Sequence, residues 1–360
     1  MSIPGQESLR GEKLISLQVL RGFAAFLIVL FHAIHDVNSL YALEKGALFP
    51  NPTALIYGID LFFVISGFIM VYTAYGKTGV TQAKGFLLRR IIRVVPLYWF
   101  FTFVLLFAFT VMPLIIDNLS FSPEEFIKSL LFIPYRDSVG GFYPFLKIGW
   151  TLNYEMYFYG VFALCMLLPI RFFMPALSVF FLVTLFAKSY VLPEGIIREF
   201  YGNMIILNFL VGAWIGYIYK KGWRLPSKAV FLGFAFVFIS FIWSAYAQEF
   251  QEKTGVWFPR RELSWLSVAL LVLPKGVSNI KFPKWSIFIG DSSYSLYLAH
   301  SFAIGALIAV ISVSGIASIL SPWLVFVLCI VVAIIAGSLS YLLIEKPLLS
   351  ASKRLISSRK

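Results

Sequence analysis

The stretch LISLQVLRGFAAFLIVLFHAIHDV, residues 14–37, decides the fold, because it is long and apolar enough to cross a membrane and still carries ionisable groups. Arg21 and His32 are costly in hydrocarbon, and such residues usually mark a functional site. Eleven residues make about three helical turns, so both side chains project from one face, roughly 16 Å apart along the axis. Gln18 and His35 lie near the same stripe. The stripe predicts a functional passage rather than isolated contacts between helices.

The composition is typical of a membrane protein. Of the 360 residues, 60% are hydrophobic and 13% are charged, whereas soluble globular proteins are nearer about 25% charged. The first apolar stretch is too long for a signal-peptide core and predicts a retained span. Cys165 and Cys329 lie in apolar runs and are predicted to be inert packing residues. The spacing of the three histidines predicts no metal site.

Apolar runs separated by polar breaks predict an all-α, polytopic integral membrane protein with about ten transmembrane helices. We expect residues 1–360 to form a single transmembrane domain without a soluble domain. The predicted helices are 14–36, 54–75, 94–116, 150–168, 172–189, 200–219, 228–247, 257–274, 290–311 and 322–344.

The loop charges predict the orientation. With the N-terminus inside, 20 of the 30 Lys and Arg residues fall in inner segments and 9 in outer loops, while Arg21 lies within the membrane. The positive-inside rule therefore predicts that both termini are cytoplasmic. Topology and anionic inner-leaflet lipids explain the net charge of +13 without a nucleic-acid partner. The longest loop, 116–149, is predicted to lie outside, and loops of this length are often functional.

Three titratable residues are predicted to share one depth near the outer side. Helix rise places His32, Asp60 and Glu155 roughly 6–9 Å below the outer boundary, each on a different helix. A histidine base with orienting carboxylates is the arrangement that general acid–base chemistry requires. The alternative is a structural cluster of ion pairs and hydrogen bonds.

A second cluster is predicted near the cytoplasmic side. Arg90 and Arg93 are three positions apart and share a helical face. Arg21 is predicted to point into the same cavity, and forked guanidiniums suit phosphate groups. Ordinary anchoring by the positive-inside rule is the alternative for Arg90 and Arg93, and it is the preferred interpretation for Arg89.

The stretch GDSSYSLYLAH, residues 290–300, carries two further ionisable groups. Asp291 is predicted to cap the ninth helix rather than to act in catalysis. His300 falls near the membrane midplane, and we expect a buried imidazole held by a neighbouring hydroxyl.

Several stretches together resemble the acyltransferase type 3 integral-membrane proteins, which O-acylate bacterial surface and secreted polysaccharides. In chain order they are LQVLRGFAAFLIVLFHA, YGIDLFFVISGFIM, the R-x-x-R segment from Arg90 to Arg93 followed by Pro96 and Tyr98, GWTLNYEMYFY, GDSSYSLYLAH and YLLIEKPL.

The resemblance implies an acyl-CoA donor, usually acetyl-CoA, and a carbohydrate hydroxyl as acceptor. His32 matches the essential histidine of the family, Arg21 its partner arginine, and Arg90 and Arg93 its donor-binding pair. We expect no C-terminal hydrolase-like domain of the kind that some relatives carry. The variant TLNYEMYFY is most similar to enzymes that acetylate exopolysaccharide units, which implies a location in the bacterial inner membrane.

The sequence thus predicts a membrane O-acyltransferase in which His32 removes a proton from the acceptor hydroxyl. Asp60 or Glu155 would orient His32 or contact the sugar, and no metal takes part. The leading alternative is a proton-coupled transporter or flippase of lipid-linked saccharides. A receptor or scaffold without chemistry is the third. No internal repeat is evident, which disfavours the transporter.

Overall fold

The regular secondary structure of the described residues is helical. A computed structural model describes residues 14–45, 48–111, 121–138, 140–191, 193–239, 260–276 and 280–357. In these ranges the only strand-like pairing is an isolated bridge between Leu225 and Pro274, so the prediction of an all-α fold is confirmed. The α-helices are α1 Ile15–Lys45, α2 Tyr57–Ala74, α3 Val80–Val111, α4 Pro123–Leu130, α5 Trp150–Cys165, α6 Ile170–Tyr190, α7 Ile206–Lys220, α8 Ala229–Ile239, α9 Arg260–Val272, α10 Lys284–Asp291, α11 Ser293–Ser314, α12 Pro322–Ser340 and α13 Lys346–Ser357.

Seven helical segments of the described chain are long and apolar enough to cross a membrane. They are Ile15–Ala42, Pro52–Ala74, Val80–Val111, Ile170–Lys188, Ile197–Lys220, Ser293–Ser314 and Pro322–Ser352. The predicted spans 150–168, 228–247 and 257–274 coincide with the shorter helices α5, α8 and α9. The count of ten spans and the cytoplasmic location of both termini therefore stay predictions. The predicted span residues 112–116, 240–247 and 257–259 lie outside the described residues.

Two helices that carry candidate site residues are longer than predicted. α1 has 31 residues and is about 46 Å long, which exceeds the ~30 Å hydrocarbon core. α3 begins at Val80 rather than near residue 94. The Lys and Arg residues before Val94 are good helix formers, so their charge does not end the helix. Arg90 and Arg93 consequently project from a helix and not from a loop.

Glycine contacts bring the helices of the site close together. A Cβ atom on Gly212 of α7 would lie 2.0 Å from the carbonyl oxygen of Val64 in α2. A Cβ atom on Gly290, near the end of α10, would lie 2.1 Å from the carbonyl oxygen of Gln18 in α1. A side chain at either position would force the backbones apart. The close approach fixes α1 beside the start of α11, which directly follows α10.

Residues 121–138 pack against α3, where the Tyr98 hydroxyl and the Trp99 indole donate hydrogen bonds to the carbonyl oxygens of Ser129 and Leu130. Ser129 at the end of α4 is their central contact, because its hydroxyl accepts a hydrogen bond from the Phe145 backbone N–H at 2.8 Å and lies 3.1 Å from the Tyr135 hydroxyl. Partial burial raises the pKa of the Tyr135 phenol. An ion pair between Arg136 and Glu199 ties this segment to the short helical turn before α7.

Candidate active site

A cavity of about 820 Å³, counting the part open to solvent, lies between α1, α2, α3, α5 and α11. Its charged lining residues are Arg21 from α1, Arg90 and Arg93 from α3, and Glu155 from α5. The rest of its wall consists of apolar, hydroxyl and phenol side chains. The structure thus brings the three arginines that the sequence singled out to one cavity, together with the carboxylate of Glu155.

Aromatic rings hold the guanidinium of Arg90. Its Cζ atom lies 5.4 Å from the ring centroid of Phe86 and 5.7 Å from that of Tyr159. One amino group also donates a hydrogen bond to the hydroxyl of Thr73 at 3.3 Å. A guanidinium that stacks on rings keeps most of its N–H donors for an anion. Arg89, in contrast, is exposed.

A hydrogen-bonded chain holds Arg21. Its Nη1 donates to Gln18 Oε1 at 3.0 Å, and Gln18 Nε2 donates to Asp291 Oδ1 at 3.1 Å. Asp291 is therefore bonded across to α1. The sequence had predicted that it caps the helix expected at 290–311. Gln18 thus holds the guanidinium of Arg21, a residue that lines the cavity.

Two carboxylates neighbour the arginines. Glu155 accepts a hydrogen bond from the Ser66 hydroxyl at 3.0 Å and lies within electrostatic reach of Arg90 and Arg21. Glu345 is buried, accepts a hydrogen bond from the Ser295 hydroxyl at 2.6 Å, and lies within electrostatic reach of Arg93 and Arg21. Sequence reasoning did not single out Glu345, although it stands in the stretch YLLIEKPL that carries part of the family resemblance.

Asp60 lies in a separate buried network. Its Oδ1 accepts a hydrogen bond from Asn208 Nδ2 at 2.7 Å, and its Oδ2 lies 2.7 Å from Arg260 Nε. The Trp265 indole donates to Asn208 Oδ1, also at 2.7 Å. The contacts described for Asp60 therefore join α2 to α7 and α9.

His32 is half-buried beside another histidine. The ring centroids of His32 and His300 are 5.0 Å apart, and the two rings are tilted by 50°. His35, one turn along α1, is exposed and pairs with Asp36, with 2.9 Å between Nδ1 and Oδ1. The polar stripe of α1 thus ends in two histidines with different partners.

The three residues that were expected to meet have different partners. Glu155 lies with the arginines, Asp60 is paired with Arg260, and the ring contacts of His32 are to Phe31 and His300. Equal depth along three helices does not specify which faces point at one another, so helix rise alone could not identify the partners. The catalytic roles stay predictions.

His300 differs from the sequence expectation in its hydrogen bond. Its Nδ1 lies 3.0 Å from the backbone carbonyl oxygen of Leu296 and is not held by a hydroxyl. Ser293, Tyr297 and His300 follow one another at helical spacing on α11, and the first two line the cavity. This spacing was the signal in the sequence for a functional stripe on α11.

Tyr297 connects the cavity to the histidine pair. Its hydroxyl lies 2.8 Å from the Thr151 hydroxyl and donates to the Ile148 carbonyl oxygen at 2.8 Å, so the ring is fixed. Its ring centroid is 6.1 Å from that of His300. The order from the cavity outward is therefore Tyr297, His300 and then His32. Within the described ranges no group of three or more His, Cys, Asp and Glu side chains is placed to hold a metal ion.

The fold and the cavity define a helical membrane protein with an arginine-lined site between its helices. The chain belongs to the acyltransferase type 3 family, since the family model described as "Acyltransferase domain" matches residues 14–342. It is also 33% identical over 301 residues to "Exopolysaccharide production protein ExoZ" of Rhizobium meliloti (strain 1021), an alignment that covers 81% of this chain and 89% of that protein. No solved structure matches the chain. The resemblance inferred from the motifs is thereby confirmed.

Proposed function

We propose that this protein is a membrane O-acyltransferase that moves an acyl group, in the first instance acetyl, from cytoplasmic acyl-CoA to a hydroxyl of a polysaccharide. The observation that carries the proposal is the cavity that gathers Arg21, Arg90 and Arg93 in a chain of an acyltransferase family. The similarity to an exopolysaccharide production protein supports a secreted polysaccharide, or its lipid-linked precursor, as the acceptor. Such an enzyme would reside in the inner membrane of a bacterium.

The arginine cavity would bind the phosphates of the donor. Guanidinium forks bind phosphate oxygens in bidentate geometry, and the phosphates of acyl-CoA are anionic and extended. Before the donor binds, the carboxylates of Glu155 and Glu345 would offset the electrostatic repulsion among the three guanidiniums and keep the arginine side chains in position. A cytoplasmic donor agrees with the excess of Lys and Arg on the predicted inner side.

The acyl end of the donor would reach His32 along α1. Arg21 and His32 are about 16 Å apart along the helix, a distance that the extended arm of acyl-CoA bridges. His32 would take the proton of the acceptor hydroxyl while its oxygen attacks the thioester carbonyl carbon. The C–O bond forms, the C–S bond breaks, and the proton passes from His32 to the leaving thiolate.

The contacts of Asp60 and Glu155 support different parts in this reaction. Glu155 would act on the donor side by positioning the arginines. Asp60 would hold α9 against α2 through Arg260, near the outer side from which a polysaccharide would arrive. Membrane lipids would surround the exposed apolar faces of the long helices.

Thiol release by purified protein in detergent tests the proposal. Acetyl-CoA and a de-O-acetylated exopolysaccharide are supplied, and free CoA is measured with a thiol reagent. We expect release that requires both the protein and the polysaccharide. A transporter needs a sealed membrane and would release no thiol in detergent. Saccharide uptake into proteoliposomes without thiol release would therefore contradict the enzymatic proposal and support a transporter.

A further inference from the structure

His300 has a buried nitrogen for which the structure provides no hydrogen-bond partner. The side chain is fully buried, and its Nε2 atom lacks a partner within the described part of the chain. Buried polar atoms are almost always hydrogen-bonded in folded proteins, and an exception demands an explanation. The explanation depends on which proton the ring carries.

The backbone fixes the tautomer of His300. Its Nδ1 faces the carbonyl oxygen of Leu296 at 3.0 Å, and a carbonyl oxygen can only accept a hydrogen bond. Nδ1 must therefore carry the hydrogen, and in the neutral ring Nε2 presents a lone pair. The buried nitrogen is thus an acceptor that needs a donor.

His32 is a ring donor beside His300. The hydroxyl of Tyr297 already contacts Thr151 and Ile148, while the rings of His32 and His300 have centroids 5.0 Å apart. A centroid separation of 5.0 Å lets an N–H group of His32 reach Nε2 at hydrogen-bond distance, about 2.7–3.2 Å, when the two nitrogens face each other.

Charged neighbours do not offer His32 an equivalent partner. The carboxylate of Asp36 is bonded to His35 at 2.9 Å, and Asp60 is paired with Arg260. A neutral imidazole as acceptor also avoids the desolvation cost of a second buried charge beside the base. His300 is therefore suited to orient the ring of His32, a role that the sequence analysis gave to Asp60 or Glu155.

We propose that His300 Nε2 accepts a hydrogen bond from one ring nitrogen of His32 and thereby keeps the other nitrogen unprotonated and facing the acceptor hydroxyl. The proposal rests on the proposed function, in which His32 is the general base. When His32 takes the hydroxyl proton, its bond to His300 becomes charge-assisted and strengthens. The proton then moves to the thiolate, and both rings return to the starting tautomers. His300 is a positioning residue and does not itself touch the reacting atoms.

Ring-¹⁵N NMR of histidine-labelled protein tests the hydrogen bond directly, because the chain has three histidines. Signals are assigned with the variants His32→Phe, His35→Phe and His300→Phe. We expect a hydrogen-bonded Nε2 on His300 and a single tautomer of His32 in the wild type, and a mixture of His32 tautomers in His300→Phe. His35→Phe is the matched control and should leave the other two rings unchanged. A free Nε2 in the wild-type spectrum would overturn the proposal, even if His300→Phe fails to fold.

Kinetics provide the second measurement. His300→Phe keeps a ring of similar shape without an acceptor, so kcat should fall about 10- to 100-fold, which is less than the full ~10²–10⁴ that general base catalysis supplies. KM for acyl-CoA should stay unchanged. His300→Gln restores an acceptor and should recover most of kcat. Wild-type kcat in His300→Phe would refute the positioning role. A hydrogen bond seen by NMR in a protein that shows no acyl transfer would instead refute the proposed function alone.

Discussion

Asp60 and Arg260 form an ion pair in which the carboxylate is buried and the guanidinium is about one-third exposed, with 2.7 Å between Oδ2 and Nε. The pair joins α2 to the start of α9. Since Asn208 and Trp265 complete the network around the carboxylate, its geometry is that of a helix-to-helix anchor.

We predict that Asp60→Asn lowers the free energy of unfolding by about 1–3 kcal/mol, because a hydrogen-bonded charge loses its partner. The melting temperature in detergent should fall, whereas kcat per folded molecule should be retained. Arg260→Gln and the double variant complete a double-mutant cycle that isolates the pair. Normal stability together with lost acyl transfer in Asp60→Asn would return Asp60 to the catalytic role that the sequence predicted.

Arg90→Ala and Arg93→Ala should each weaken acyl-CoA binding. A hydrogen bond to a charged group is worth about 1.5–3 kcal/mol, which corresponds to about tenfold or more in Kd per residue. Calorimetry on purified variants measures the change. Arg89→Ala is the matched control, because Arg89 is a neighbour on α3 with an exposed side chain. Wild-type affinity for acyl-CoA in Arg90→Ala and Arg93→Ala would show that these arginines do not bind the donor and only anchor the topology.

The orientation in the membrane can be tested with single cysteines. Glu124→Cys lies on the exposed face of α4 and is predicted to be outside, whereas Ser350→Cys on α13 is predicted to be inside. Both native cysteines are buried, so they should label slowly. An impermeant maleimide should label Glu124→Cys in spheroplasts, and Ser350→Cys only after lysis. The opposite pattern would place the donor site outside and contradict the proposed mechanism.

The sequence singled out the three arginines that line the cavity because each signal was local. Arg21 stands in an apolar helix, and Arg90 and Arg93 share a face by spacing alone. The helical class followed from composition in the same way. Each of these signals is local in the sequence, whereas the meeting of α1 and α3 at one cavity is a tertiary property.

The partners of the carboxylates and of His32 could not be predicted. Arg260 and Asp60 are far apart in sequence, and helix rise gives depth but not the direction in which a side chain points. The contact of His32 with His300 depends on α1 packing beside α11, which the glycine contact between Gln18 and Gly290 enforces. Such pairing of helices is a tertiary property that one sequence does not reveal.

His32 is the residue on which the enzymatic proposal depends. His32→Ala should abolish acyl transfer, because general base catalysis contributes about 10²–10⁴ to the rate. Binding of acyl-CoA should persist, since its phosphates would be held at Arg21, about three helical turns away. O-acetyl content of the polysaccharide, read by NMR in a complemented deletion strain, measures transfer, and calorimetry measures binding.

His35→Ala is the control for this variant, because His35 is also an imidazole on α1, one turn away, but it is exposed and paired with Asp36. Its effect on O-acetylation should be much milder. Protein levels must be equal in the membrane fraction for the comparison to hold. Near-normal O-acetylation by well-expressed His32→Ala protein would exclude His32 as the base and would favour a transporter. Loss of acyl-CoA binding in the same variant would instead place His32 in the donor site.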